Sequence, residues 1–120
     1  MTLPVAEDLK KLYLNREIFN GGAGGETSTQ IATRMLADTA GHNTWINVFW
    51  YGQNNRMDPA KIKSDIAASV SNLASGNTRF VVLSVVNEAT PEGSRGGVEY
   101  ASIIPLNNEL AALYPQNYMD

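Results

Sequence analysis

The sequence predicts a three-layer α/β/α domain built on a mostly parallel, open sheet. Two segments, residues 45–51 and 79–86, are largely apolar, which is typical of parallel strands covered on both faces. Segments with helical spacing alternate with them, and this order favours a parallel sheet with helices on either side. At 120 residues the chain fits one hydrophobic core, so we expect a single domain over residues 1–120.

The first half of the chain is predicted to contain helix, strand, glycine loop, helix and strand. Residues 5–13 place apolar side chains on one helical face, with acids before bases as the helix dipole favours. Residues 17–20 are expected to form a short strand that runs into the glycine cluster 21–25. A helix over residues 26–37 follows, and the apolar strand 45–51 comes next.

The second half begins with a helix whose start is well marked. Asp58 is a predicted N-cap, and Pro59 suits the first helical position. Apolar residues recur every three or four positions until the helix stops near Gly76: Ile62, Ile66, Val70 and Leu73. The strand 79–86 follows.

A polar, glycine-containing loop over residues 87–97 leads from this strand to the last helix. That helix is predicted over residues 100–114, where Pro105 is expected either to bend it or to start it. Residues 117–120 are expected to begin a further strand. The resulting alternation of strands and helices is the reason for expecting a parallel sheet.

Composition excludes several classes of function. The net charge is −3, from 12 acids and 9 bases, which argues against binding to nucleic acid or to an anionic membrane. Cysteine is absent, and His42 is the single histidine, so thiol catalysis and Cys- or His-cluster metal sites are excluded. No apolar run is long enough to span a bilayer, and residues 1–11 lack the apolar core of a secretory signal. We expect no cofactor and no metal.

The glycine cluster does not fit either common phosphate-binding pattern. In G-x-G-x-x-G the third glycine would fall on Thr27, and the lysine of a P-loop would fall on Glu26, whose charge repels phosphate. A nucleotide-binding domain is therefore the weakest hypothesis. Three carboxylates, Glu26, Glu88 and Glu92, lie in the loops that follow predicted strands. They leave acid/base chemistry as a further alternative.

Two motifs resemble a known enzyme family. Residues 20–28 are Asn-Gly-Gly-Ala-Gly-Gly-Glu-Thr-Ser, and residues 52–55 are Gly-Gln-Asn-Asn. They resemble the second and third conserved blocks of the SGNH hydrolases, also called GDSL esterases or lipases. The resemblance covers about residues 3–120 and implies the middle portion of a flavodoxin-like domain with strand order 2-1-3-4-5, lacking the family's first, central strand.

The resemblance also implies roles for particular residues. In this family a backbone N–H of block two and an asparagine amide of block three form an oxyanion hole for the tetrahedral intermediate of ester hydrolysis. By position these donors are Gly25 and Asn54, and both are suited to a developing negative charge. Asn55 stands where the family commonly has Asp. Neighbouring residues at the strand ends are the expected binding positions: Gly24, Tyr51, Gly52 and Asn55.

The family's nucleophile and base have no counterpart in this chain. Neither the G-D-S motif of the nucleophilic serine nor the D-x-x-H motif of the base occurs. His42 precedes strand 45–51, about 20 Å from the carboxyl end where the site is expected. We therefore expect a domain that is incomplete at both ends and, as this chain alone, inactive.

Two functions remain as leading alternatives. The first is an SGNH-type ester hydrolase that acts on acyl or acetyl groups of glycans or lipids. The second is a non-catalytic binding or assembly module descended from the same fold. In either case, the missing central strand leaves residues 17–20 and 45–51 without a shared neighbour. We expect these strands to pair directly, or a second copy or a complementing segment to cover the gap.

Overall fold

A computed structural model of the chain, in which residues 4–38 and 41–120 are described, is a mixed α/β structure. The expected domain 1–120 and the segment 1–11 include residues outside these ranges, namely 1–3, 39 and 40. A short 3₁₀ turn over His42–Thr44 precedes the first strand. The helices and strands are α1 Pro4–Leu12, α2 Ser28–Leu36, β1 Asn47–Phe49, α3 Pro59–Ser71, β2 Phe80–Leu83, α4 Val98–Leu113 and β3 Tyr118–Met119.

The three strands of the described chain form one open, parallel sheet in the order β1-β2-β3. Phe49 lies beside Val82 in the first pair, and Val82 lies beside Tyr118 in the second. The α/β class and the parallel sheet are confirmed, as is a last strand within residues 117–120. The three-layer, flavodoxin-like arrangement with an absent central strand stays a prediction.

One face of the sheet carries the hydrophobic core. Paired residues of a parallel sheet point to the same face, so Phe49 and Val82 project together, and both are buried. They belong to one cluster with buried residues of three helices: Ala32 of α2, Ile62 and Ile66 of α3, and Ile103, Leu106 and Leu110 of α4. Helices α2, α3 and α4 therefore pack on this face.

The other face of the sheet is apolar and largely open. Val48 lies beside Val81, and Leu83 lies beside Met119, so these alternate residues share the face opposite the core. Val48 is 57% exposed, and Met119 is also exposed. The expectation that strand 45–51 is covered on both faces is wrong, because the helices that build the core lie together on the other face.

The expected strand at residues 17–20 does not form. These residues pair with no strand in the described chain, so the predicted direct pairing with β1 is also wrong. A strand needs a neighbour to take up its backbone hydrogen bonds. Phe19 instead stacks on the imidazole of His42, with ring centroids 4.0 Å apart.

The helix starts follow their capping signals. The Asp58 carboxylate accepts a hydrogen bond from the Lys61 N–H at 3.2 Å, and Pro59 is the first residue of α3, as predicted. Thr27 and Gln30 form a capping box at the start of α2. Pro105 lies inside α4, so it does not start that helix.

Candidate functional site

The candidate site lies where the loop after β1 meets the amino end of α2. Gly52 begins this loop with φ of +95°, a conformation that favours glycine. A Cβ at Gly52 would lie 2.9 Å from Cδ1 of Ile62, so the missing side chain also lets α3 approach closely. Gly52 is buried, and its role is to shape the loop. Its contact with a ligand stays a prediction.

One hydrogen bond joins Asn54 to the glycine loop, at the residue that follows Gly25. The Asn54 Nδ2 donates to the Glu26 carbonyl oxygen at 2.8 Å, which sets the amide beside the residue that follows Gly25. An asparagine amide has two N–H donors, and its second one has no acceptor within the described chain. Asn54 is exposed, so this donor faces solvent.

Gly25 offers a second donor in the same loop. Its φ is +81°, and no atom lies within 4 Å of the position that a Cβ would occupy. Its N–H has no hydrogen-bond acceptor among residues 4–38 and 41–120, and the residue is exposed. Gly24, immediately before it, is exposed as well. The turn therefore presents bare backbone to an incoming group.

Asn55 fixes the loop to helix α2. Its Oδ1 accepts the Ser28 N–H at 3.0 Å, and its Nδ2 donates to Ser28 Oγ at 2.8 Å. An amide can make this two-way contact because it carries both an acceptor and a donor. Its side chain is thus engaged in holding the loop, and its ligand-binding role stays a prediction.

Below this contact lies a buried carboxylate, Asp65 of α3, which is 5% exposed. Its Oδ2 accepts from Ser28 Oγ at 2.7 Å and from Thr29 Oγ1 at 2.8 Å, and its Oδ1 accepts from Lys61 Nζ at 2.9 Å. Burial alone would raise the pKa of Asp65. The hydrogen bonds and the Lys61 charge outweigh burial and hold that pKa below its ordinary value.

The same network shows that Ser28 is not an available nucleophile. Its side chain is fully buried, its hydroxyl donates to the Asp65 carboxylate, and its oxygen accepts from Asn55. A nucleophilic serine needs an adjacent base and access to the substrate. Ser28 therefore serves to join α2, α3 and the loop after β1.

Arg34 controls the charge beside Gly25. Its guanidinium donates both to the Glu26 carboxylate and to the Gly21 carbonyl oxygen. The ion pair offsets the negative charge of Glu26, which would otherwise disfavour an anion at the neighbouring turn. The bond to Gly21 also ties the start of the glycine segment to α2.

Tyr51 is part of the hydrophobic core. The residue is buried at 4% exposure, and its hydroxyl is 2.8 Å from Ser69 Oγ, while its ring packs edge-on against Phe49. Burial raises the pKa of this phenol. Side chains alternate along the strand, so Tyr51 shares the core side with Phe49, and its contact with a ligand stays a prediction.

His42 lies before β1, at the amino end of the sheet, as predicted. Its Nδ1 is 2.6 Å from Asp38 Oδ2, and its ring contacts Phe19 and Trp45. No serine hydroxyl bonds to it in the described part of the chain. The imidazole therefore belongs to a packed cluster away from the loop of Asn54.

The acid/base alternative gains no support from the loop carboxylates. Glu88 pairs with Arg56 at 2.8 Å, and the same guanidinium pairs with Glu99 of α4 at 2.9 Å. Glu26 pairs with a different arginine, Arg34. Glu26 and Glu88 are thus held by separate cations, and Arg56 acts to join the loop after β1 to α4.

Sequence reasoning missed two residues that organise the site, Asp65 and Arg34. Asp65 stands on the apolar stripe of α3, next to Ile66, and such a charge signals a buried polar partner. Lys61 four residues earlier is a matching signal. Arg34 carries no comparable signal, because its partners depend on how the glycine segment folds back along α2.

The described residues contain no group of His, Cys, Asp or Glu that could hold a metal ion. None of the helices in residues 4–38 and 41–120 is long and apolar enough to cross a membrane. Comparison with family models, curated proteins and solved structures found no match to the chain.

Proposed function

We propose that this chain supplies the oxyanion-binding part of an SGNH-type ester hydrolase. The substrates would be acyl or acetyl esters of glycans or lipids, as the resemblance of the glycine block and the Gly52-Gln53-Asn54-Asn55 block implies. The observation that carries the proposal is the hydrogen bond from Asn54 Nδ2 to the Glu26 carbonyl. It sets an amide donor beside the turn that presents the Gly25 N–H.

Two neutral donors, one in the glycine loop and one in the loop after β1, suit a developing oxyanion. The Gly25 N–H and the second Asn54 N–H are both without an acceptor in the described chain. Neither therefore has to break a hydrogen bond before it can bind an oxyanion. Donors held in place before the charge develops are what stabilise such a transition state. Asn55 and the buried Asp65 network hold both loops on α2, which limits their reorganisation.

As this chain alone, the protein is proposed to be inactive. Among the described residues no serine is paired with the imidazole of His42, and Ser28 is buried against Asp65. This absence of a nucleophile–base pair favours the alternative, a non-catalytic binding or assembly module. Labelling by a fluorophosphonate probe tests the claim of inactivity, because covalent modification of this chain would contradict it.

The oxyanion site itself is tested by the binding of a tetrahedral monoanion, dimethyl phosphate, followed by ¹⁵N NMR. We expect the Gly25 amide and the Asn54 side-chain NH₂ signals to shift together with one dissociation constant. Asn54→Asp should abolish binding, because it replaces a donor with a negative charge. Asn108→Asp, at an exposed position in α4, is the matched control and should leave the Gly25 shift unchanged.

Two results would contradict the proposed oxyanion site. One is the absence of any shift at Gly25 and Asn54 while the anion binds elsewhere. The other is an equal loss of binding in the two Asp variants, because this would mean that net charge and not a specific donor governs the effect.

A further inference from the structure

The edge strand β1 carries backbone hydrogen-bonding groups that β2 does not use. The Asn47 N–H donates to the Arg79 carbonyl oxygen at 3.1 Å, so Asn47, and Phe49 two residues later, direct their main-chain groups toward β2. Val48 lies between them and directs its N–H and C=O away from β2. Within residues 4–38 and 41–120, no strand pairs with this edge.

No charge protects this edge. Natural sheets guard edge strands with charged side chains, prolines or bulges. Residues 45–55 contain no Asp, Glu, Lys, Arg or Pro. The opposite edge differs, because β3 is two residues long and is followed directly by Asp120. Of the two edges, β1 is the one suited to strand addition.

The side chains along β1 are also suited to an apolar neighbour. Ile46, Val48 and Trp50 alternate along the extended segment, so they lie on one face, and all three are exposed. An antiparallel partner strand centred on Val48 would set Ile46 opposite position 50 of the partner. If the partner is the same strand, every apolar side chain of this row meets another apolar side chain.

We propose that two copies of this chain associate through β1 in a two-fold symmetric, antiparallel pair centred on Val48. In this arrangement the Val48 N–H of each copy donates to the Val48 C=O of the other, and the two sheets become continuous. A second copy is the occupant that the edge favours. The strand carries no charge, so it meets itself without like-charge repulsion, although the whole chain has a net charge of −3.

The test is sedimentation velocity on the 120-residue chain and its variants over a range of concentrations. The unmodified chain is expected to be a dimer at micromolar concentration. Val48→Lys and Val48→Glu each place like charges directly opposite each other across the two-fold axis and remove an apolar contact. We expect each to weaken the dimer by about tenfold or more. An equimolar mixture of the two variants should restore a dimer, because opposite charges then face each other.

Two controls keep the test decisive. Val81→Thr removes apolar surface from the same face but leaves the β1 edge intact, so the dimer should persist. Circular dichroism of each variant establishes that the fold is retained. A monomeric unmodified chain would overturn the proposal, and so would a mixture that stays monomeric while both variants are folded. Dissociation by Val81→Thr alone would mean that the copies pack face to face and not edge to edge.

Discussion

The two faces of the sheet are built from the same three strands, yet only one of them is covered by helices. On one face Phe49 and Val82 are buried under helices α2, α3 and α4. On the other face Val48, one position away from Phe49 and beside Val81, stays exposed. Both faces are apolar, so hydrophobicity alone does not decide which side of a strand is covered.

This difference shows that a strand side chain is buried only where the helices pack against its face of the sheet. Helices α2 and α4 both lie against α3, and all three contribute to one core cluster. The loops at the carboxyl end are drawn toward this same side by Asn55, Asp65 and Arg56. The candidate site therefore rests on the packed side of the molecule, while the proposed self-association uses the β1 edge, whose exposed side chains lie on the open face.

The largest expected effect comes from making the same truncation on the two faces. Val82→Ala should lower the free energy of unfolding by about 2–3 kcal/mol, because a fully buried side chain leaves a cavity in the core. Val48→Ala, on the neighbouring strand but exposed, should change it by less than about 0.5 kcal/mol. Urea denaturation of dilute, monomeric protein measures both. Equal losses would mean that the open face is covered in solution.

A slightly smaller effect is expected at the turn where the packed side meets the candidate site. Gly52→Ala should cost about 2 kcal/mol, because it combines a φ of +95° with a contact 2.9 Å from Ile62 Cδ1. Gly76→Ala is the matched control, since its φ is +78° and open space surrounds the added carbon. It should cost about 1 kcal/mol from backbone strain alone. Similar losses at the two glycines would contradict close packing of α3 beneath the loop.

The smallest effect is a pH dependence that belongs only to the packed side. The pKa of Asp65 is lowered in the folded chain, so its stabilisation is complete above its unfolded pKa, near about pH 4. That stabilisation is lost as the pH falls through the lowered folded pKa. Asp65→Asn should therefore be less stable than the unmodified chain at neutral pH, and the difference should shrink in acid.

The control for this pH dependence is Asp8→Asn in α1, where the carboxylate is exposed and pairs with exposed Lys11 at 3.5 Å. Solvent screens such a pair, so stability should be unchanged at both pH values. Urea unfolding at neutral and acidic pH gives the comparison. A constant difference for Asp65→Asn across this range would be inconsistent with a charged, hydrogen-bonded Asp65.

Local signals in the sequence predicted the elements that depend on neighbours along the chain. The start of α3 followed from Asp58 and Pro59, since a cap and a fixed φ act within one helical turn. The loop positions of Gly25 and Asn54 followed from two short motifs, and the structure sets these motifs beside each other. Their role as oxyanion donors stays a prediction.

The failed predictions concern contacts between distant parts of the chain. Residues 17–20 have strand-like composition but find no neighbour, so the ladder cannot form. The sequence also did not predict that Tyr51 is buried, which follows because the side of the strand it occupies is the side that the helices cover. Nor did it predict that Asn55 holds Ser28, a residue 27 positions away. The ligand contacts expected of both residues stay predictions.

The sequence by itself determined the α/β class, the start of α3 and the two loops of the candidate site. Spacing, capping and apolar runs act over a few residues and need no knowledge of the whole fold. Only the tertiary structure decided which face of the sheet became the core, that Asp65 organises the site, and that residues 17–20 do not pair with β1. These outcomes depend on where each helix packs after its loop, which a pattern along the chain does not specify.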